Sequence, residues 1–323
     1  MLYDLLEKLG QSTGIKGMPL FAMFVFSLLL VSLSFKLFTR VLPKDQGREF
    51  AVNGSLSQGK ARGAGLIFIT CFVLLTSLFV PLNLELVIYL VLIYGAMLSG
   101  YLDDASDVPW GNLKKGLIDL VVSGGIAGTY YYFNSSSISI AFLGWKVELN
   151  PVLFVILAAA LVWGSINVTN CADGVDGLCA SLCMLSIYML SKLLGSQTTM
   201  MSVCLIMLAC LGAYLWYNCS PSSILMGDAG SRALGVFLAL LALKTGSPFA
   251  YLPICAMLII DGGLGLIKVS FIRFLKLKGF MKNIRTPIHD HVRKNKGWSD
   301  TQVVIRFLIV QLVIGICYFL MSV

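Results

Sequence analysis

The chain has 323 residues, of which 58% are hydrophobic and only 12% are charged, and its mean hydropathy is +0.86. A soluble domain is about 45–50% apolar and about 25% charged, so this composition excludes a soluble globular enzyme and a disordered or fibrous chain. The apolar runs, such as Met18–Phe35 and Leu66–Val80, are continuous, whereas the strands of an outer-membrane barrel alternate apolar and polar residues. We therefore predict an all-α integral membrane protein, built as a single domain over residues 1–323.

The net charge and the cysteine pattern argue against a nucleic-acid site and against a disulfide framework or zinc site. The formal net charge is +8, but in a membrane protein Lys and Arg collect in cytoplasmic loops, so we expect no nucleic-acid partner. Most of the nine cysteines lie in apolar runs and no C-x-x-C occurs, which predicts buried small hydrophobic residues without a disulfide framework or a zinc site. The first apolar run continues into Lys36, Arg40 and Lys44 without a small-x-small cleavage site, which favours a retained first helix.

About ten transmembrane helices are predicted along the chain, with no linker and no internal repeat between them. Their approximate bounds are 18–38, 64–80, 84–101, 116–133, 150–167, 178–194, 200–217, 231–245, 248–272 and 302–322. Because the number of spans is even, both termini are expected on the same side of the membrane.

The loops between these spans differ in charge. The even-numbered loops contain only Lys146, Lys192 and Lys244. The odd-numbered loops and the adjoining helix ends contain the cations Arg40, Lys44, Arg48, Lys60, Arg62, Lys114, Lys115, Arg232, Lys268, Arg273, Lys276, Lys278, Lys282, Arg285, Arg293, Lys294 and Lys296. By the positive-inside rule the odd-numbered loops are cytoplasmic and both termini are outside.

The polar residues that can do chemistry collect on the same side as the cations. The odd-numbered loops hold Asp103, Asp104, Asp107, Asp173, Asp176, Asp228 and both histidines. A transporter is expected to keep its key ionisable groups near the middle of the membrane. This distribution instead predicts an active site at the cytoplasmic face.

The first candidate segment is G-Y-L-D-D-A-S-D at 100–107, at the end of the third predicted span. The adjacent carboxylates of Asp103 and Asp104 repel each other unless a cation lies between them. Mg²⁺ prefers such hard oxygen ligands, together with phosphate oxygens. One of the two carboxylates could instead be a general base, and a solvated acidic turn is the alternative without function.

The second segment is N-V-T-N-C-A-D-G-V-D-G at 167–177. Asn167, Asn170, Asp173 and Asp176 are spaced by three, so a helix would present them on one face. The two glycines permit a tight turn or the close approach of a ligand. So many polar groups beside an apolar span are costly unless they are satisfied, although an ordinary polar turn with helix caps is the alternative.

Two more segments carry single candidates. Asp228 lies between glycines in L-M-G-D-A-G-S, where the eighth predicted span begins, and a helix N-terminus there would attract phosphate; a simple N-cap is the alternative. His289 and His291 lie in P-I-H-D-H, within the most basic loop. A zinc pair is one interpretation, but no cysteine lies nearby, and phosphate binding or proton transfer fits a basic loop better. Incidental histidines are the alternative.

Taken together, carboxylates suited to Mg²⁺, glycine turns and a His-Arg-Lys loop on one face predict phosphoryl transfer. A site at the membrane surface further suggests that one substrate is a lipid phosphate and that the other is a soluble nucleotide.

At these segments the chain resembles the polyprenyl-phosphate N-acetylhexosamine-1-phosphate transferases, and within them the phospho-N-acetylmuramoyl-pentapeptide transferase (translocase I) branch. The matching residues are G-Y-L-D-D at 100–104, N-V-T-N-C-A-D-G-V-D-G-L at 167–178, M-G-D-A-G-S-R-A-L-G at 226–235, P-I-H-D-H at 287–291 and G-W-S-D-T-Q-V-V-I-R-F at 297–307. Order, spacing and layout agree over most of the chain. The chain departs from the branch at Leu225, where Phe is common, at Asp290, which interrupts a run of histidines, and at Asp107, where a basic residue is usual.

The resemblance implies transfer of phospho-N-acetylmuramoyl-pentapeptide from UDP-N-acetylmuramoyl-pentapeptide to undecaprenyl phosphate, which gives lipid I and UMP. This is a step of peptidoglycan synthesis, and hence of cell-wall biogenesis, cell shape and cell division, in the bacterial inner (cytoplasmic) membrane. The implied cofactor is Mg²⁺, and a homodimer is suggested. Implied catalytic residues are Asp103, Asp104, Asp228 and His289. Implied metal ligands are Asp228 and Asn170. Implied substrate-binding residues are Lys60, Asn167, Asn170, Asp173, Asp176, Asn218, Leu225 and His291, with Lys44 as a weaker candidate for phosphate contact.

Two other functions compete with this one. A sister transferase would use UDP-N-acetylglucosamine or a related nucleotide sugar for surface polysaccharide; the last loop argues against it, but the departures in that loop, such as Asp290, keep this alternative open. A secondary transporter or channel is supported by Asp119 and Asp261, which lie inside predicted spans. Asp261 is followed by two glycines that could break a helix, as in transporters.

Overall fold

The computed structural model describes residues 17–45, 47, 57–106, 108, 110–140, 143–277 and 279–322. The predictions that involve Arg48, Asp107 and Lys278 fall outside the described residues.

Helices make up most of the described chain, and the all-α class is confirmed. The α-helices are α1 (Met18–Phe38), α2 (Gly65–Phe79), α3 (Leu84–Asp104), α4 (Asn112–Phe133), α5 (Pro151–Ala172), α6 (Leu178–Lys192), α7 (Thr198–Asn218), α8 (Gly227–Lys244), α9 (Tyr251–Ile254), α10 (Ala256–Leu258), α11 (Leu264–Phe274), α12 (Ile288–Lys296) and α13 (Asp300–Ser322). Each apolar segment predicted as a span coincides with a helix or, over 248–272, with a series of short helices.

Local signals in the sequence account for where some of these helices begin. The side chain of Asn83 accepts a hydrogen bond from the Leu86 N–H at 2.8 Å and so caps α3. Asn150 accepts from Val152 N–H at 3.0 Å, and Pro151 occupies the first turn of α5. Proline tolerates this position because its missing N–H would be unpaired there in any case.

The number of membrane spans is not confirmed. Among the described residues, five helices are long and apolar enough to cross a membrane: Met18–Val41, Leu84–Asp104, Pro151–Ala172, Thr198–Asn218 and Asp300–Ser322. A sixth is obtained if the bent pair Pro248–Ile254 and Ala256–Phe274 is one span. Other apolar segments fall short because α2 and α6 have only 15 residues each, whereas about 20 apolar residues cross a bilayer.

Helix α8 lies at the centre of the bundle. It packs against α2, α3, α5 and α6, and its residues from Ala229 to Leu243 are all buried. A helix that is apolar on all sides is expected in such a position. Its one buried cation, Arg232, forms an ion pair with Asp119 of α4, which offsets the cost of removing both charges from water.

The end of α3 touches the beginning of α8. A Cβ atom at Gly100 would overlap the backbone carbonyl of Asp228, so only glycine allows this approach. The contact brings the last turn of α3, with Asp103 and Asp104, beside Asp228.

Two small sheets were not predicted from the sequence. Strand β1 (Ala61–Arg62) pairs in parallel with β4 (Ile224–Leu225), and Arg62 lies opposite Leu225. Lys44 forms an isolated antiparallel bridge with Ala61. Strands β2 (Ser137–Ile140) and β3 (Trp145–Glu148) form an antiparallel pair. The β1–β4 pair fixes the segment after α1 to the segment before α8.

The ninth predicted span is not a continuous helix, which corrects the prediction for 248–272. Helices α9 and α10 are followed by a π-helical turn, Ile259–Gly263, and then by α11. The pair Pro248–Ile254 and Ala256–Phe274 is bent by 69°. π-helical turns of this kind recur at functional sites, and this one contains Asp261.

Candidate active site

A cavity of about 600 Å³ lies at one end of the bundle, where α5 and α7 end and α8 begins. Small-molecule sites commonly measure roughly 300–1,000 Å³. The candidate residues that line the cavity are Lys60, Asn170, Asp173, Asp176, Asn218, Leu225 and His289. These residues come from four separate parts of the chain, which the fold brings together.

Beside the cavity, the side chains of Asp103, Asp104 and Asp228 form a carboxylate cluster. The Asp228 N–H donates to Asp104 Oδ2 at 2.7 Å. Lys115 forms ion pairs with Asp103 and with Asp228, whose Oδ2 lies 3.6 Å from the Lys115 Nζ. The Trp110 N–H donates to Asp103 Oδ1 at 2.7 Å. The three aspartates are therefore adjacent, although none of them is among the residues that line the cavity.

Arg62 connects the carboxylate cluster with the cavity, which it lines. Its Nε and Nη2 lie 3.0 and 2.9 Å from Asp104 Oδ1. Its Nη1 lies 2.8 Å from Asp45 Oδ1, and its Nη2 lies 3.9 Å from Asp228 Oδ1. One guanidinium thus contacts three carboxylates that come from three different parts of the chain.

Asp45 holds Arg62 from the side away from the cluster. Burial by itself would raise the pKa of Asp45, but the Ser57 hydroxyl, which donates at 2.6 Å, and the Arg62 guanidinium outweigh burial and lower this pKa. Burial would likewise lower the pKa of Arg62, but Asp104, Asp45 and Asp228 raise it. Both groups are therefore charged at neutral pH.

Lys60 and Asp176 form a second polar contact in the cavity wall. The Lys60 Nζ lies 3.7 Å from Asp176 Oδ2 and donates to Ser222 Oγ at 3.0 Å. The Ser222 N–H donates to the same Asp176 oxygen at 2.9 Å. The carboxylate of Asp176 is therefore held in place from two sides.

Asn218, at the end of α7, ties the D-G-V-D-G turn to β4. Its Oδ1 accepts from the Gly177 N–H and its Nδ2 donates to the Ile224 carbonyl, each at 2.9 Å. Asn218 is buried. Its hydrogen bonds to the backbone shape the cavity wall.

His289 is fixed by Asp261 from the π-helical turn. The Asp261 carboxylate accepts from the His289 N–H at 2.7 Å and contacts the ring Nδ1 at 2.7 Å. A carboxylate in contact with a ring nitrogen accepts its hydrogen bond, which favours the tautomer of His289 with its proton on Nδ1. The ring Nε2 lies against Gly174, where a Cβ atom would overlap it, so glycine is required at this point of the turn.

The predicted helix face through Asn167 and Asp176 is wrong. Helix α5 ends at Ala172, and Asp173 is its C-cap, so Asp173 and Asp176 lie beyond the helix. The Asn167 side chain donates to the Trp163 carbonyl of its own helix at 2.8 Å and is not among the residues that line the cavity. The spacing of three is compatible with a helix, but helix α5 ends before the glycine-rich turn begins.

Two further candidate residues contact neighbouring segments. Asn170 lines the cavity, and its Nδ2 donates to Ser231 Oγ, near the start of α8, at 3.0 Å. His291 is not among the lining residues; its Nδ1 accepts from the Arg285 N–H at 3.3 Å. Only the first of the two histidines therefore lies at the cavity.

Arg293 also lines the cavity, but it is already bound to carboxylates. Its Nε lies 2.8 Å from Asp300 and its Nη1 lies 3.6 Å from Asp290. Asp290, which departs from the resemblance, therefore serves to hold Arg293.

The roles of four residues in this site were not predicted from the sequence: Arg62, Lys115, Asp45 and Asp261. The two cations were counted only as loop charges, and Asp261 was considered only as support for a transporter. The available signal was the rule that a buried carboxylate needs a charged or hydrogen-bonding partner. The structure pairs Asp261 with His289 and Asp119 with Arg232.

Sequence comparison with known proteins identifies the family of this chain. The family model described as glycosyl transferase family 4 matches residues 86–246. A phospho-N-acetylmuramoyl-pentapeptide-transferase of Treponema pallidum (strain Nichols) is 36% identical, over 91% of this chain and 86% of the relative. The chain belongs to the phospho-N-acetylmuramoyl-pentapeptide-transferase family.

More distant members agree. A phospho-N-acetylmuramoyl-pentapeptide-transferase of Wolbachia sp. subsp. Drosophila simulans (strain wRi) is 27% identical, over 78% of this chain and 81% of the relative. That of Symbiobacterium thermophilum is 30% identical, over 79% and 80%. The resemblance carried by the D-D, D-G-V-D-G and M-G-D segments is thereby confirmed. All three segments lie within the residues that the family model matches.

Proposed function

We propose that the chain transfers phospho-N-acetylmuramoyl-pentapeptide from UDP-N-acetylmuramoyl-pentapeptide to undecaprenyl phosphate, giving lipid I and UMP. The observation that carries this proposal is the carboxylate cluster of Asp103, Asp104 and Asp228, which lies beside a polar cavity at the end of an apolar bundle. Membership of the phospho-N-acetylmuramoyl-pentapeptide-transferase family supports the same reaction.

In this reaction an oxygen of the lipid phosphate attacks the β-phosphorus of the nucleotide sugar. The new phosphorus–oxygen bond forms as the bond to UMP breaks, and UMP leaves. Asp103 or Asp104 positions the lipid phosphate or accepts its proton. Asp173 and Asp176 line the uridine side of the cavity, and His289 presents Nε2 to a phosphate or to the sugar. Positioning and charge stabilisation account for most of the catalysis of phosphoryl transfer.

The residues present are suited to Mg²⁺. Three carboxylates of the cluster face two cations, Arg62 and Lys115, so negative charge is in excess. Among the described residues, no group of three or more His, Cys, Asp or Glu side chains is arranged to hold a metal ion. Mg²⁺ is usually bound by one or two carboxylates together with substrate phosphates, so a complete protein cage is not required. Asp228, with Asn170, would hold the ion, which would neutralise phosphate charge.

We further propose ten membrane spans, with both termini outside and the cavity facing the cytoplasm of a bacterium. The cavity is built from the cation-rich loops. The other end of the bundle holds Lys244, whose Nζ lies 3.0 Å from Glu85 Oε1. The positive-inside rule favours this orientation.

The deciding experiment offers the purified protein two donors in turn, with radiolabelled sugar, undecaprenyl phosphate and Mg²⁺. We expect transfer from UDP-N-acetylmuramoyl-pentapeptide to the lipid. Preferred transfer from UDP-N-acetylglucosamine would overturn this proposal and leave the sister transferase in its place. No transfer from either donor would overturn both.

A further inference from the structure

Arg62 is the residue at which the carboxylate cluster and the cavity meet. Among the described residues, the cations that line the cavity are Lys60, Arg62 and Arg293. Of these three, Arg62 is the one that also contacts Asp104 and Asp228. An anion in the cavity would contact this guanidinium before it reaches the carboxylate cluster.

The position of Arg62 is fixed before any ligand binds. Strand β1 is hydrogen-bonded to its neighbours on both sides: the Arg62 N–H donates to the Pro43 carbonyl at 2.8 Å, and Arg62 pairs with Leu225 of β4. Asp45 holds its Nη1. The guanidinium is therefore preorganised, which lowers the entropy lost when it binds a ligand.

The guanidinium also has donors to spare. It carries five N–H groups, and three of them are directed at Asp104 and Asp45 through Nε, Nη1 and Nη2. One N–H on each terminal nitrogen is not used by these three hydrogen bonds, although Nη2 also lies 3.9 Å from Asp228 Oδ1. A guanidinium with an unused N–H on each terminal nitrogen can donate to two phosphate oxygens.

The neighbouring cation supports a diphosphate as the ligand. Lys60 directly precedes β1 and Arg62 ends it, and both residues line the cavity. Lys60 lies toward Asp176, while Arg62 lies toward Asp228. Two cations in this order can hold two successive phosphates.

We propose that Arg62 binds the diphosphate of the nucleotide donor and holds its β-phosphate beside the carboxylate cluster, a role that rests on the proposed function. The guanidinium also screens that phosphate from the carboxylates of Asp104 and Asp228. Arg62 is thus a substrate-binding residue, and not only a structural link between Asp45 and the cluster.

The test compares the binding of UDP and of uridine, both with Mg²⁺, to the purified full-length protein by titration calorimetry. Arg62→Met should weaken UDP binding roughly 10- to 100-fold, since hydrogen bonds to charged groups contribute on that scale. Uridine binding should change less than about 2-fold, because uridine has no phosphate for Arg62 to bind. Arg62→Lys keeps the charge but loses the fork, so we expect a partial loss for UDP alone.

Arg293→Met is the matched control, because Arg293 lines the same cavity but is bound to Asp290 and Asp300. It should leave the ratio of UDP to uridine affinity unchanged. Equal losses of both ligands in Arg62→Met, or a UDP-selective loss in Arg293→Met, would overturn the role of Arg62. If Arg62→Met does not fold, Arg62→Lys decides, and an unchanged ratio there overturns the inference. Wild-type protein that binds neither ligand would instead overturn the proposed function.

Discussion

At the scale of single residues, the site depends on charges that hold one another in place. Asp228 has its N–H bound to Asp104 and its carboxylate facing Lys115 and Arg62. Each of these partners restricts where the Asp228 carboxylate can lie. We expect removal of the Asp228 charge to affect turnover much more than folding.

Asp228→Asn should lower turnover by roughly 10²–10³-fold or more, the scale of losing a major electrostatic stabiliser. The measurement is the rate of lipid product formation with saturating donor. Glu148→Gln, an exposed carboxylate on β3 at the other end of the bundle, is the matched control and should retain wild-type turnover. Near wild-type turnover in Asp228→Asn would remove this residue from the site.

Asp261 should act through His289. In Asp261→Asn the amide no longer requires a proton on Nδ1, so the ring nitrogen beside Gly174 is no longer reliably unprotonated. We expect a loss in kcat of roughly 10- to 100-fold with little change in KM, on the scale of a charged hydrogen bond. Asp261→Glu keeps a carboxylate and should recover part of the rate. An Asp261→Asn variant in which only KM changes would contradict this role of Asp261 in positioning His289.

Asp45 predicts a pH dependence of stability. Its pKa is lowered in the folded protein, so its contribution is present above the unfolded pKa of about 3.9 and is lost as pH falls through the lower folded value. Asp45→Asn should therefore unfold at a lower temperature than wild type at pH 7. The difference in unfolding temperature should narrow as pH falls below about 3.9 and through the still lower pKa of folded Asp45. An equal difference at both pH values would argue against an ionised Asp45.

At the scale of helices and strands, close contacts decide where the functional groups lie. The crossing of α3 and α8 at Gly100 is the clearest case, since it brings two predicted motifs together. Gly100→Ala should force these helices apart, lowering both the unfolding temperature and turnover. Gly95→Ala, in the same helix with open space around the position, is the control. It should be neutral or stabilising by up to about 1 kcal/mol, and similar losses in both variants would contradict the explanation.

The sequence predicted these elements unevenly. Continuous apolar runs identified the helices, because burial in a bundle or bilayer demands them along the whole element. The place of Asp261 in the site was not predicted, because it depends on a contact with His289, which lies 28 residues away in the chain. The pairing of Arg62 with Leu225 was likewise invisible, since two-residue strands have no periodicity to detect. Motifs therefore indicated which residues matter, and long-range contacts determined how they are arranged.

At the scale of the whole molecule, the ten-span topology can be tested by labelling introduced cysteines in intact cells and in inverted vesicles. Cys219 and Cys317 are exposed, so both are first replaced by serine, and this background protein is the unlabelled control. A cysteine at Asn283 should then react only from the cytoplasmic side, and one at Asn134 only from outside. The reverse pattern would overturn the orientation and the proposed access of the nucleotide.

Metal removal is a second test of the intact protein. The excess of carboxylates over cations in the cluster predicts that EDTA abolishes transfer and that added Mg²⁺ or Mn²⁺ restores it. Full transfer in the presence of EDTA would contradict Mg²⁺ dependence. The binding of uridine should survive EDTA, and this provides the control for intact protein.

The cavity has a further consequence for how the protein is made. Its walls come from residues as early as Asp45 and as late as Asp300. During synthesis the ribosome must therefore deliver nearly the whole chain to the membrane before the last wall, with His289 and Arg293, can close. A product released before Pro287 would keep Asp103, Asp104 and Asp228 but would have no complete cavity. We therefore expect unfinished chains to be inactive until α12 and α13 have joined the bundle.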